Sequence, residues 1–144
     1  MMLTRAFLGA VDITPVNPRV PKGQVRVRIQ QVFRTKTSIY VHYSIENDGR
    51  SAYHVTTQDV FALQVGYSDL SLSSFAHKQL DPRVLEDFSD IHSVPLPVPH
   101  AETASEDLAP GESTDGVVAI RQNLTSPAVV QLVFGRQVKA TFVL

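Results

Sequence analysis

Ile39-Tyr-Val-His-Tyr-Ser-Ile-Glu46 alternates without a break, with Ile39, Val41, Tyr43 and Ile45 on one side of an extended chain and Tyr40, His42, Ser44 and Glu46 on the other. A period of two is the signature of a half-buried strand, and β-branched and aromatic residues suit a pleated surface. The preceding stretch repeats the pattern, with Val25, Val27 and Ile29 set against Arg26, Arg28 and Gln30. Arg34-Thr-Lys-Thr-Ser38 is short enough to join the two as an antiparallel hairpin.

Working outward, Asn47-Asp-Gly49 is predicted to end the second strand, since Asp-Gly readily supplies the positive φ of a tight turn. Tyr53 to Val55 and Val60-Phe-Ala-Leu-Gln-Val65 read as further strands, the latter returning Phe61 and Leu63 to the core. Near the C-terminus lie Gly116-Val-Val-Ala-Ile-Arg121, Ala128-Val-Val-Gln-Leu-Val-Phe134 and Gln137 to Leu144, the last with Val138, Ala140, Phe142 and Leu144 on one face. Gly135-Arg136 is the expected reversal between the final two. Pro110-Gly111 suits the centre of a type II turn, proline fixing the first φ and glycine accepting the positive second one.

The remaining segments lack this alternation. Thr14 to Gly23 holds three prolines and reads as an extended connector within an N-terminal extension, residues 1–23. Before it, Phe7, Leu8, Val11 and Ile13 fit either a short strand or a helical turn. Gly66 to Phe75 has room for one more strand. Pro82 to Ile91 spaces Val84, Leu85, Phe88 and Ile91 as a short amphipathic helix would. Ser93 to His100 must be extended, because its three prolines alternate, and Ala101 to Asp107 reads as an acidic loop. Residues 78–112 are therefore expected to be a loop insertion in one domain spanning 1–144. Short strands, turn chemistry and two-fold alternation predict an all-β antiparallel sandwich of about seven or eight strands, with a barrel as the structural rival.

A chain of 144 residues can bury a core without disulfide or metal staples. Its net charge of −1 provides no field to hold a polyanion, and Arg26, Arg28, Arg34 and Lys36 read as a solvated strand face, so nucleic acid is not an expected partner. The lack of cysteine excludes disulfides, a thiol nucleophile and thiolate metal sites. No apolar run is long enough to cross a bilayer as a helix, so no membrane insertion is expected. Asp12 interrupts the apolar patch at the N-terminus before it reaches signal-peptide length. The doubled Met reads as a start added to an excised domain. On that reading a secreted or periplasmic location is favoured, and otherwise a cytoplasmic one.

Four segments carry a family resemblance: the strand ending Ile45-Glu46-Asn47; Asp59-Val-Phe61-Ala-Leu63; Leu108-Ala-Pro-Gly-Glu-Ser113 leading into Gly116-Val-Val-Ala-Ile120; and Pro127 to Phe134. Their spacing resembles small bacterial immunoglobulin-like domains of uncharacterised function, found in secreted proteins and envelope lipoproteins. The likeness covers roughly the last four-fifths of the chain. It implies an immunoglobulin-like β-sandwich with an extracytoplasmic accessory or binding role, and it transfers no catalytic residue. The proline-bearing segment 78 to 107 is longer than such domains usually carry.

Motif chemistry is sparse. His42, His54, His77, His92 and His100 form neither HxH nor HExxH. Asp81, Glu86, Asp87, Asp90 and His92 make the densest ligand-bearing group, suited to Ca²⁺ through the carboxylates or Zn²⁺ with His92, although the spacing matches no EF-hand or zinc motif. The alternative is a solvated helix face. Serines are plentiful, yet no Gly-x-Ser-x-Gly elbow holds one. Tyr53 and His54 are expected at a sheet rim, apolar bodies inward and polar tips in water. No catalytic residue, metal ligand or cofactor is assigned. The expected function is a noncatalytic module mediating protein–protein contact or self-association in a bacterial envelope or virion-like assembly. Segment 78–107 is the suspected contact element, aided by an exposed edge strand. A carbohydrate- or metal-binding accessory domain and a hydrolase are the alternatives; the absence of tryptophan counts against sugar stacking.

Overall fold

A computed structural model describes residues 11–15, 24–67, 75–80, 90–125, 127–135 and 138–144. Its strands are β1 (Val11–Asp12), β2 (Thr14–Pro15), β3 (Val25–Arg34), β4 (Ile39–Asn47), β5 (Tyr53–His54), β6 (Val60–Tyr67), β7 (Lys78–Leu80), β8 (Asp90–Leu96), β9 (His100–Thr103), β10 (Asp107–Leu108), β11 (Ser113–Ile120), β12 (Val129–Phe134) and β13 (Val138–Val143). A 3-10 turn, Thr57–Asp59, precedes β6. A five-stranded sheet runs β1-β3-β4-β11-β9, a six-stranded sheet β2-β7-β13-β12-β6-β8, and β5 pairs with β10 alone. Every pairing is antiparallel except the short β2–β7 contact. The expected all-β antiparallel sandwich is thus the fold. Eight of its strands are four residues or longer, which accords with the seven or eight expected.

The opening hairpin forms as its alternation dictates, from Val25 opposite Asn47 to Arg34 opposite Ile39. Its loop is closed by Thr35, whose amide donates to the Ser38 carbonyl at 2.9 Å while its hydroxyl accepts from the Ser38 amide at 3.0 Å. A register shift between Ile29 and Gln31 inserts one residue, so the inward series passes from Val27 and Ile29 to Val32. That is a β-bulge, and the step of three between Ile29 and Val32 is its trace in the sequence.

Between the sheets, Ile29, Val41, Tyr43, Ile45, Val118 and Ile120 meet Ala62, Val130, Leu132, Phe134, Ala140 and Phe142 in one cluster. The Tyr43 and Phe134 rings touch across it with centroids 4.9 Å apart. Each Val, Leu, Ile or Phe in the cluster contributes about 1.5–3 kcal/mol by leaving water, and each alanine methyl less. Val138, Ala140, Phe142 and Leu144 share the inward face, as their spacing predicts.

The edges of the two layers are tied together. β1 pairs with β3 and β2 with β7, so the first described segment crosses from one sheet to the other with Ile13 buried at the crossing. From β7, the Gln79 side chain reaches to β3, accepting from the Ile29 amide and donating to the Val27 carbonyl, both at 2.8 Å. An amide side chain here does the work of a neighbouring strand, satisfying backbone groups that β1 is too short to reach.

Several expectations need correction. Segment 78–112 is not simply a loop insertion: it holds β7, β8, β9 and β10, with β11 following at Ser113, and its Leu80, Leu96 and Leu108 are buried. Removing it would strip strands from both sheets. The acidic loop at Ala101 to Asp107 contains β9, which pairs with β11. The helix expected over Pro82 to Ile91 falls mostly outside the described residues, but Asp90 and Ile91 belong to β8 and so are not helical. Gly49 does not take positive φ; the described glycines that do are Gly111 and Gly135. Instead, the Asn47 side chain caps the turn, its Oδ1 accepting from the Gly49 amide at 3.0 Å. At Pro110-Gly111 the prediction holds: Gly111 has φ of 87° and the Glu112 amide closes the turn on the Ala109 carbonyl at 3.0 Å.

The six-stranded sheet also departs from one wet face per sheet. Val65, Leu80, Val129 and Val143 form a second buried cluster on its outer side, with Leu63 and Phe75 packed against it. The run Ala128 to Phe134 reflects this, being apolar on both faces instead of alternating.

Candidate functional site

Three polar arrangements and one apolar surface stand out. Tyr43 lies opposite Gly116 in the β4–β11 ladder, and its hydroxyl donates to the Glu102 carbonyl on β9 at 2.8 Å. The ring therefore crosses the bare backbone of Gly116 and links three strands. Burial pushes the Tyr43 hydroxyl up to about 12, so it remains a donor throughout the physiological range. Asn47 is fully buried at the end of β4. Its Nδ2 donates to the Ser51 carbonyl at 2.9 Å and the Leu108 carbonyl at 3.0 Å, while its backbone amide donates to the Glu112 carbonyl and its carbonyl accepts from Gly111. Both constellations are fully satisfied and serve packing.

The third pair lies in water. His54 and Asp107 face each other where β5 meets β10, with His54 Nδ1 2.8 Å from the Asp107 carboxylate. The hydrogen bond to Asp107 raises the His54 pKa above its ordinary 6.5, outweighing slight desolvation. A raised folded-state value means the pair's stabilisation is complete below about pH 6.5 and disappears as pH climbs through the folded-state pKa. Asp107→Asn should return the His54 titration, followed by NMR, to its ordinary range. It should also flatten the fall in urea midpoint between about pH 6 and 8.

The histidines are not gathered. His42 is half-buried on β4, His54 sits at a rim as expected, His77 adopts φ of 60° before β7, and His100 on β9 contacts Glu102 at 3.2 Å. Of the suspected metal group, Asp81, Glu86 and Asp87 lie outside the described residues, and Asp90 and His92 fall on β8. Among the described residues no cluster of three or more His, Asp or Glu side chains is placed to hold a metal. Arg26 pairs with Glu46 at 2.8 Å across the outer face of the hairpin, in keeping with a solvated strand face.

The apolar surface was misread from sequence. Phe61 does not return to the core: it is 51% exposed, while Val60 and Ala62 on either side are buried. The Asp59 carbonyl accepts from the Gly135 amide and sets Val60 opposite Phe134, which fixes the parity of β6 and turns Phe61 outward. Phe61, Val133 and Lys139 then form one row across three strands, beside the row Pro95, Leu63 and Gln131. Together with Val98 these residues line a groove of about 540 Å³ on the outer face of the six-stranded sheet. Nothing but bulk had pointed to Phe61, because Val60 to Val65 is apolar at both parities. Lys139 and Pro95 gave no signal at all.

The fold and this surface define an antiparallel β-sandwich with an apolar groove on one sheet. No family model and no curated protein sequence matches the chain. Among solved structures, the archaellum periplasmic stator protein complex FlaF and FlaG from Sulfolobus acidocaldarius is similar over 92% of this chain and 99% of that one, with 13% identity and a TM-score of 0.43. The stator protein FlaG from the same organism is similar over 82% of this chain and 99% of its own, with 12% identity and a TM-score of 0.41. At such identities and scores no residue role passes to this chain. No described helix is long and apolar enough to cross a membrane.

Proposed function

We propose that the chain is a noncatalytic protein-binding module whose contact surface is the outer face of the six-stranded sheet around Phe61. The observation that carries this reading is the exposure of that ring beside a groove walled by Leu63, Pro95 and Val133. Burying the exposed half of that ring would return about 1 kcal/mol. An exposed aromatic on a rigid strand is also the kind of residue that anchors interfaces. This surface takes only Pro95, Leu96 and Val98 from segment 78–107, since much of that segment is built into the sheets. The envelope or virion-like setting expected from the sequence is retained as part of the proposal.

A photocrosslinking side chain at position 61, introduced in the source cells, should yield a discrete protein adduct. The same group at exposed Asp115, on the opposite sheet, should yield none. Absence of an adduct at position 61, or an identical one at 115, would overturn the assignment, and fractionation of the cells would show the compartment in which the adduct resides.

A further inference from the structure

We infer that the occupant of the groove is an extended peptide segment bearing an apolar side chain and, two residues away, a carboxylate. The inference rests on the proposed contact surface and names the chemistry of its partner. Three observations lead to it. Lys139 is exposed, is the one charged residue among the described residues lining the groove, and makes no ion pair with any described residue. It shares a row with Phe61 across Val133, so a ligand placing an apolar group on Phe61 meets a cation on the same face. Neighbouring strands are about 4.8 Å apart, which separates the two positions by about 10 Å. Alternate side chains of an extended peptide are about 7 Å apart, and the flexible lysine stem covers the difference.

Size decides against a second folded copy. The large apolar side chains exposed among the described residues are Val11, Phe61 and Val94, of which only Phe61 lines the groove. A standard interface needs about 800 Å² from each partner, much more than one ring and its neighbours supply. A groove of about 540 Å³ suits a few residues of extended chain. Strand addition at the adjacent edge is disfavoured beside the groove, because β8 carries Pro95, which has no amide to donate, and the chain beyond it continues through Pro97 and Pro99. The peptide therefore lies on the face of the sheet and does not extend it.

The test uses the whole chain and capped heptapeptides at about 1 mM, read by amide shifts of β6, β8, β12 and β13. The probe is Ac-GSFSESG-NH2, with Ac-GSFSKSG-NH2 and Ac-GSASESG-NH2 as controls. The first should bind about fivefold more tightly than either control. Lys139→Glu should reverse the preference between the glutamate and lysine peptides, and Phe61→Ser should abolish shifts from all three. Equal binding of the two charged peptides, no reversal, or no binding by any peptide would overturn the inference. So would concentration-dependent self-association in sedimentation that Phe61→Ser removes, which would make a second copy the occupant. If the position-61 adduct forms while the peptides show no charge preference, only this inference falls. If neither appears, the contact surface falls too.

Discussion

Gly116→Ala should lower the unfolding free energy by about 3 kcal/mol, a large effect for one added methyl group. A β-carbon built at Gly116 meets the Glu102 carbonyl oxygen and the Tyr43 hydroxyl and ring carbon, all closer than any real contact allows. Two of these atoms belong to the hydrogen bond that links β4 to β9 across β11. None is the loose end of a surface side chain: the ring is clamped against Phe134 and the carbonyl is held in a strand. The substitution must therefore part β9 from β11 or expel the tyrosine from the core. Urea denaturation of the variant checks the size of the loss. Tyr43→Leu combined with Gly116→Ala should recover only part of it, because the Glu102 carbonyl remains in the way. Wild-type stability for Gly116→Ala would mean that the tyrosine does not lie over this glycine.

Asn47→Ala should cost about 2–3 kcal/mol. Three side-chain hydrogen bonds disappear: those to the Ser51 and Leu108 carbonyls and that from the Gly49 amide. Water can replace the partners near the surface, but the bond to Leu108 is buried, and its carbonyl would be left without a side-chain donor. Asn47→Asp separates donor from acceptor roles. It keeps the acceptor for Gly49 but turns carboxylate oxygens toward two carbonyl oxygens, so at neutral pH it should be less stable than the alanine variant. Protonation supplies one donor and removes the repulsion, so the folded state takes up the proton more readily than the unfolded chain. Stability of Asn47→Asp should accordingly rise as pH falls through the carboxylate range. A pH-independent deficit equal to that of alanine would show that this amide does not hold the turn.

Much of the architecture was legible because it depends on local periodicity. The alternation of β3 and β4, the Pro110-Gly111 turn and the inward series Val138, Ala140, Phe142 and Leu144 follow from each residue's own chemistry and its place in a repeat of two. The site was not legible, and Phe61 shows why. Val60 to Val65 presents apolar groups at both parities, so either face fits the core when the segment is considered alone. The hydrogen bond from Gly135, more than seventy residues away, selects one register and sends the larger side chain into water. Gly49 teaches the same lesson on a smaller scale, since a buried amide made positive φ unnecessary there.

The amino-acid sequence by itself determined that this protein is an all-β antiparallel fold containing the Tyr43 hairpin, because binary patterning acts between near neighbours, and it left the choice between sandwich and barrel to the tertiary structure. Tertiary structure alone decided that segment 78–112 contributes strands to both layers, that Gly116 must lack a side chain, and that Phe61 faces a groove beside Lys139. Those outcomes depend on which distant strands pair and in which register, and a shift of one residue would have turned every side chain of β6 to the opposite face.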